Sequence, residues 1–352
     1  MLLCHAFFRQ TTDECCELMY RICKTCTPEP VTAKKLLLKY QNQCIPCDVH
    51  ALDQCLRGGF RIGAVSEIVG RAGVGKTQLA MQLCVVAARL GFGSIFIDTE
   101  RKLSMQRLNE IAKERERTTM NMNSADNSRN DLDFEYDGDG DGGQTSRDGR
   151  RLSYRPPNEV LNNVTVHSPA STDELLSIVS QLDEEIIIRN ETAADMQQSS
   201  CTTQTKSQYP VKLIILDSIA APTRRDFGGG NAPQRVAAIF QIAQVLKRIA
   251  DQMQVAVVVV NQIEKIQGIA IARDQSHDGD FVSVTAALGT SWHHCVSTRV
   301  ALEHEKDPHR DDAIVSGLDR GRVRTATVVK SNVVGRSSAS FEVTMMGVCH
   351  VK

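Results

Sequence analysis

The chain has no excess charge of either sign. Lysine and arginine number 41, aspartate and glutamate 42, for a formal net charge of −1 over 352 residues. It is not a polycation, so any nucleic-acid binding has to come from local loops or from a partner. Long apolar runs are missing as well. The longest purely aliphatic stretch, Val255 to Val260, is far shorter than the roughly 20 residues a membrane helix needs, so no membrane role is expected. The opening residues, Met1-Leu2-Leu3-Cys4-His5-Ala6-Phe7-Phe8-Arg9, lack a basic leader and a small-residue cleavage site and do not read as a signal peptide. No internal repeat is found.

What is present supports a large folded body. An apolar content of 41 % gives enough material for a sizeable core, in one large domain with extras or in two domains. The twelve cysteines read as reduced intracellular thiols. Two pairs, Cys23/Cys26 and Cys44/Cys47, have a spacing that a tetrahedral zinc ribbon could use. Against that, Val31 to Tyr40 reads as a helix, and Cys44 and Cys47 adjoin core sequence. Ordinary thiols are the preferred reading.

The chain is organised around Gly70-Arg71-Ala72-Gly73-Val74-Gly75-Lys76-Thr77, the G-x-x-x-x-G-K-T spacing of a phosphate-binding loop. Ala64 to Val69 before it reads as a buried strand. Leu79, Leu83, Val86, Ala87 and Leu90 after it recur at helical spacing, and Gly91 is placed to end the helix. Cys84 in that helix reads as a small core residue. Strand, glycine-rich turn and helix is the context the motif requires. Glycines let backbone N–H groups approach a phosphate, Lys76 adds positive charge beside the outer phosphates, and Thr77 offers a hydroxyl to Mg²⁺.

Further along, Ser94 to Asp98 reads as a second strand ending in Thr99-Glu100. This places a carboxylate at the C-terminal edge of a parallel sheet, where ligands bind. Arg101 to Glu116 is a charged helical stretch. Residues 118–157 are rich in Asn, Ser, Asp and Gly and read as a disordered insertion. Within it Asp137, Asp139, Asp141, Gly142 and Asp148 mimic a calcium loop, without the final Glu or flanking amphipathic helices.

A strand is expected from Val160 to His167. A capping box, Ser171-Thr172-Asp173-Glu174, then opens a helix carrying Leu175, Ile178, Val179, Leu182 and Ile186. Residues 190–208 read as a second flexible insertion. Leu213-Ile214-Ile215-Leu216-Asp217 fits a central strand delivering a Mg²⁺-binding carboxylate beside the phosphate loop. A loop is expected over Ala220 to Pro233. A helix over Gln234 to Met253 should turn Val236, Ile239, Phe240, Ala243, Leu246 and Ala250 inward. Val255 to Val260 is another buried strand, ending in Asn261-Gln262, and Glu264 to Ala287 reads as a mobile loop. Strands are expected at Thr298 to Leu302, Arg324 to Lys330 and Ser340 to Met345.

In order and in motif the set resembles the RecA-type recombinase core over roughly residues 45–350. The set is Leu52-Asp53…Gly58-Gly59, Gly70 to Thr77, Asp98-Thr99-Glu100, Leu213 to Ser218, Asn261-Gln262, Gly289 and Ser297-Thr298-Arg299. Asp217-Ser218-Ile219-Ala220-Ala221-Pro222 and Leu288-Gly289-Thr290-Ser291-Trp292 make it most similar to the eukaryotic recombinase paralogues of that family.

The resemblance implies an α/β fold, a P-loop NTPase core with a mostly parallel sheet flanked by helices and a C-terminal antiparallel part. A short, partly helical segment (1–44) precedes the core (45–352). It implies ATP and Mg²⁺ as cofactors, with the whole of 70–77, Arg107 near the adenine, and Asp217 forming the nucleotide site. Lys76, Glu100 (polarising the attacking water) and Gln262 (sensing the γ-phosphate) would be catalytic. It also implies work on single-stranded or branched DNA in homologous-recombination repair and meiosis, in the nucleus. The partners would be another recombinase paralogue and the main strand-exchange recombinase. The loops at 220–233 and 263–287 would meet DNA, with Arg224, Arg225, Arg235, Lys265 and Arg273 as candidate contacts.

Three departures stand out. The N-terminal segment is short, Arg101-Lys102 replaces a small residue after the acid, and Ser331 to Gly335 does not match the Asp-x-Pro cap lent to a neighbour's ATP. The cap mismatch favours a specific heteromeric contact over a self-assembling filament, and the activity that the resemblance implies is a weak DNA-dependent ATPase of the RecA type. The alternatives are a full strand-exchange recombinase forming homofilaments, a non-hydrolysing assembly subunit, and, more remotely, a helicase or clock-type ATPase of the same fold.

Overall fold

The aliphatic runs become the centre of one sheet, because β-branched side chains suit a pleated surface buried on both faces. The computed structural model describes residues 16–17, 19–21, 31–35, 43–127, 156–198, 209–228, 232–262, 289–304 and 323–351. The chain divides into two units, Met1–Asn42 and Gln43–Lys352. In the first, residues 33–35 are helical, within the helix expected there. The remainder of that expected helix and the pair Cys23/Cys26 lie outside the described residues.

The second unit begins with β1 (Cys44–Ile45), α1 (His50–Cys55), β2 (Phe60–Arg61), β3 (Val65–Gly70), α2 (Lys76–Arg89) and β4 (Gly93–Asp98). It continues with α3 (Met105–Asn127), α4 (Pro157–Asn162), β5 (Val164–His167), α5 (Thr172–Gln198), β6 (Val211–Asp217), α6 (Ala220–Asp226) and α7 (Ala232–Met253). Then follow β7 (Ala256–Gln262), α8 (Gly289–Cys295), β8 (Thr298–His304), β9 (Val323–Ser331), β10 (Ser337–Thr344) and β11 (Gly347–His350).

The main sheet has the order β11-β10-β9-β8-β3-β7-β6-β4-β5. From β8 to β5 neighbouring strands are parallel, and from β8 to β11 they are antiparallel. This is the expected mostly parallel sheet with an antiparallel end. Side-chain alternation divides the core in two. Leu213 and Ile215 of β6 and Val258 and Val260 of β7 pack with Leu79 and Leu83 of α2. Ile214, Leu216, Val257 and Val259 pack on the other face with Leu182 and Ile186 of α5 and Leu246 and Ala250 of α7. Helix α2 is buried nearly all round, not along one stripe, because the sheet and α3 both cover it.

Several boundaries differ from the sequence reading. The expected insertion at 118–157 begins as helix, since α3 runs to Asn127 with no glycine or proline to stop it. The calcium-like residues Asp137 to Asp148 lie outside the described residues. The expected strand from Val160 starts later. Pro157 suits a first helical turn, α4 buries Val160, and Asn163 closes it by donating to the Glu159 carbonyl at 2.9 Å.

The second insertion also opens as helix, with α5 running to Gln198. Ala193 is buried there, and the Asn190 side chain accepts the Val211 N–H at 2.8 Å, tying the helix to β6. Ala220 to Asp226 is helical, not loop, with Pro222 in a first turn that needs no N–H from it. In α7, Ile239, Ala243, Leu246 and Ala250 face inward, but Val236 and Phe240 are exposed.

Strand β11 was not anticipated. Arg115 donates to the Met346 and Val348 carbonyls, and the Gln82 side chain accepts the Val348 N–H at 2.7 Å. The strand is held from across the core, by residues its own sequence does not reveal.

Candidate nucleotide site

Register brings the site together. In the parallel ladder Asp98 lies beside Asp217, Asp217 beside Val260, and Gly70 beside Gln262. The C-terminal ends of β4, β6 and β7 therefore surround the loop that leaves β3, as expected for a ligand-binding sheet edge.

Gly70 opens that loop where no side chain fits. A Cβ there would lie 2.6 Å from the Leu302 carbonyl oxygen and 2.8 Å from the Val74 side chain. Gly75 takes φ 107°, a left-handed conformation that favours glycine, and it stands as the N-cap of α2. Lys76 turns back, its Nζ donating to the Gly70 and Arg71 carbonyls, each at 2.8 Å. Burial lowers its pKa, and Asp217 opposes that.

Thr77 donates its hydroxyl to Asp217 Oδ2 at 2.6 Å. Burial pushes the Asp217 pKa up, against the Thr77 hydrogen bond. The pair is a carboxylate and a hydroxyl on facing elements, an all-oxygen set of the kind that suits Mg²⁺. The residues therefore fit the expected ion.

Glu100 accepts the Ser218 hydroxyl at 2.8 Å and forms an ion pair with Lys102. Burial acts to raise its pKa, but the Lys102 and Ser218 hydrogen bonds hold it below the ordinary value. Asp98 performs a different task. Its carboxylate accepts the backbone N–H groups of Glu100, Lys102 and Leu103, which fixes the turn that presents Glu100. Thr99 binds the far strand, its hydroxyl donating to the Ser218 carbonyl at 2.7 Å and accepting the Ser218 N–H at 2.9 Å. The substituted position Arg101 adopts φ 55°.

Gln262 ends β7, half-buried, one residue after an anchored Asn261. Asn261 Nδ2 donates to Glu67 Oε1 at 2.9 Å, and Trp292 Nε1 donates to the same oxygen at 2.8 Å. Arg299 Nε donates to Glu67 Oε2 at 2.6 Å. The stretch 263–288 is thus flanked by residues bound to one buried carboxylate of β3.

A cavity of about 620 Å³ lies beside the loop, lined among others by Gly73, Gly75, Gln78, Arg107 and Arg324. Arg107 is within it as a clamp. It donates to Gln78 Oε1 at 2.9 Å, to Glu110 Oε2 at 3.3 Å, to the Met345 carbonyl at 3.0 Å and to the Thr344 carbonyl.

The described candidate DNA residues lie on two helices. Arg224 and Arg225 sit on α6, directly after β6, where Arg225 is exposed, donates to the Ala170 carbonyl and pairs with Asp226 at 3.6 Å. Arg235 lies in the first turns of α7. Lys265 and Arg273 lie outside the described residues.

Cys47 is fully buried and donates its thiol to Asp53 Oδ1 at 2.7 Å. Burial, then Asp53, raises its pKa well above the ordinary value. Among the described residues no three His, Cys, Asp or Glu side chains group closely enough to hold a metal.

The sequence reading missed Lys102, Ser218, Glu67 and Arg324 as site residues. The available signals were the place of Ser218 inside a quoted motif, of Lys102 in a departure from the family pattern, and of Glu67 in the strand that feeds the loop. Arg324 had none beyond its place in a strand.

A profile of the family described as Rad51 matches residues 41–130 and 156–351. The chain is 24 % identical to "DNA repair protein XRCC3 homolog" of Arabidopsis thaliana, covering 88 % of this chain and 94 % of that one. It is 26 % identical to human "DNA repair protein RAD51 homolog 2", covering 82 % and 68 %. It is 23 % identical to mouse "DNA repair protein XRCC3", covering 88 % and 75 %. Among the described residues no helix is long and apolar enough to cross a membrane.

Proposed function

The chain belongs to the Rad51 family, and from that membership and the site we propose that it is an ATP-binding recombinase paralogue. In this reading it acts in nuclear homologous-recombination repair and meiotic recombination. It works in a hetero-oligomer with another recombinase paralogue, binds single-stranded or branched DNA, and assists the main strand-exchange recombinase. The supporting observation is the meeting of Lys76, the Thr77–Asp217 pair, Glu100 and Gln262 at one sheet edge around a glycine-rich loop.

Lys76, held by two loop carbonyls, needs only to swing its ammonium outward to meet phosphate oxygens. Thr77 and Asp217 would hold Mg²⁺, and residues 70–77 would cradle the phosphates with Arg107 on the base side. Bound ATP supplies a γ-phosphoryl group that is either present or lost, which gives the protein two states. Gln262, at the end of β7 and next to Asn261, is positioned to report that difference to the following segment. Glu100 would orient water rather than take its proton, since its lowered pKa makes it a weak base.

One observation favours a second reading, a subunit that binds nucleotide and turns it over hardly at all. Lys102 already pairs with Glu100, so an attacking water has to compete with its ammonium. ATP hydrolysis by the purified chain, alone and with a recombinase paralogue, with and without single-stranded DNA, decides between these. The paralogue reading expects nucleotide binding that Lys76→Ala abolishes, weak turnover, and a defined DNA-binding heterodimer. Homofilaments formed on DNA by the chain alone would replace it with the full recombinase reading. Nucleotide binding with no turnover in any mixture would leave the assembly subunit.

A further inference from the structure

Two guanidinium groups line the cavity beside the phosphate loop, and they are in opposite situations. Arg107 has its hydrogen bonds distributed over Gln78, Glu110 and the carbonyls at the end of β10. Arg324, from β9, has none. Its Nε and Nη1 are sealed from solvent and find no acceptor among the described residues. Burial lowers its pKa with no neighbouring carboxylate in opposition. A buried donor without an acceptor is costly, and a charged one more so, unless the site is built for an anion that arrives later.

The surroundings identify that anion. Arg324 Nη1 lies 3.5 Å from where a Cβ on Gly75 would stand. Gly75 is the N-cap of the 14-residue helix α2 and makes no side-chain cap, so the first N–H groups of that helix face the same place. Val343 and Met345 add an apolar wall to the cavity. A cation, free N–H groups and an apolar wall together suit a ligand with an anionic end and a flat apolar end.

We propose that Arg324 binds the α,β-diphosphate of the nucleotide from within the same chain, so that the β9–β10 pair forms the second wall of the phosphate site. This rests on the ATP-binding reading above. The α,β portion follows from the lining. Gly75 and Gln78 border the cavity, whereas Glu100, Asp217 and Gln262, which mark the γ-phosphate end, do not. Arg324 is therefore common to ATP and ADP and is not a sensor of hydrolysis.

The test compares wild type, Arg324→Gln, Arg324→Lys and Lys76→Ala in direct titrations with Mg²⁺-ATP and Mg²⁺-ADP. Each protein is also melted without nucleotide. Arg324→Gln is expected to weaken ATP and ADP alike, by about tenfold, with Arg324→Lys intermediate. The nucleotide-free melting temperature should be unchanged or higher, because a half-buried cation whose Nε and Nη1 find no acceptor has gone. Unchanged affinities in Arg324→Gln, where Lys76→Ala has lost binding, would overturn the role of Arg324 and leave the ATP-binding reading standing. A loss confined to ATP would overturn it by moving the contact to the γ-phosphate. A lower nucleotide-free melting temperature at unchanged affinity would make Arg324 structural. Unchanged binding in Lys76→Ala would remove the nucleotide reading itself, and this inference with it.

Discussion

Asp217 is 4 % exposed, and its carboxylate accepts the Thr77 hydroxyl at 2.6 Å. Burial raises its pKa. The Thr77 bond opposes this, Glu100 and Asp98 add to it, and Lys76 opposes it again. An acid with a raised pKa binds its proton more tightly in the folded chain than in the unfolded one. Its ionisation therefore costs stability at neutral pH, and that cost is relieved as pH falls from the raised value towards the ordinary value of about 4. Mg²⁺ needs the ionised form. Mg²⁺-dependent ADP affinity should fall as pH drops through the raised Asp217 pKa, while affinity in EDTA should not follow it. Asp217→Asn should abolish the Mg²⁺ dependence and melt no lower than wild type without nucleotide. Titrations across pH with and without Mg²⁺ check this, and an equal pH profile in EDTA would place the titrating group elsewhere. Cysteine reactivity offers another measurement at this scale. The Cys84 thiol is pushed up to about 12 by burial, so alkylation of the native protein should spare it until global unfolding, as quantified by mass spectrometry.

Between elements, the buried carboxylate of Glu67 joins β3 to β7, α8 and β8 through Asn261, Trp292 and Arg299. Arg299 continues to His293 Nδ1 at 3.0 Å, and Lys330 of β9 donates to the His293 carbonyl. Burial, followed by Lys330 and Arg299, lowers the His293 pKa, which keeps its ring neutral and able to accept from Arg299. Glu67→Gln would leave Arg299 buried without its counter-charge, and unfolding stability should drop by about 3 kcal/mol in chemical denaturation. A loss of only about a few tenths of a kcal/mol, the scale of an ordinary surface substitution, would show that the network is dispensable. A lone acid inside Val-Ser-Glu-Ile-Val-Gly does not announce this role, because its partners lie on three other elements. Element identity was more legible. Leu213 to Asp217 and Val255 to Val260 read as buried strands from composition alone, whereas α6 was hidden by a proline that breaks helices in their interior but not in their first turn.

At the scale of the whole molecule, a net charge near zero confines any DNA-binding field to local patches. Arg224 and Arg225 follow the Asp217 strand end directly, so α6 connects the nucleotide edge to the surface. Neutralising both should weaken single-stranded DNA binding and flatten the salt dependence by about 1.4 in the log–log slope, at roughly 0.7 per phosphate contact. Binding measured over a range of salt concentrations checks this, and an unaltered slope would move the DNA contacts to other residues or to the partner.

The sequence by itself determined the glycine-rich turn between strand and helix, the strand that feeds it, the place of Asp217 at a strand end and the parallel core. These depend on consecutive residues and on the two periodicities, 2 and 3.6, that local backbone geometry imposes. Only the tertiary structure decided which side chains share the site. Thr77 meets Asp217 across 140 positions of chain, Ser218 meets Glu100 across 118, and Arg324 reaches the loop from an antiparallel strand near the far end of the chain. Such pairings follow from strand order and register, and a strand's own sequence states neither.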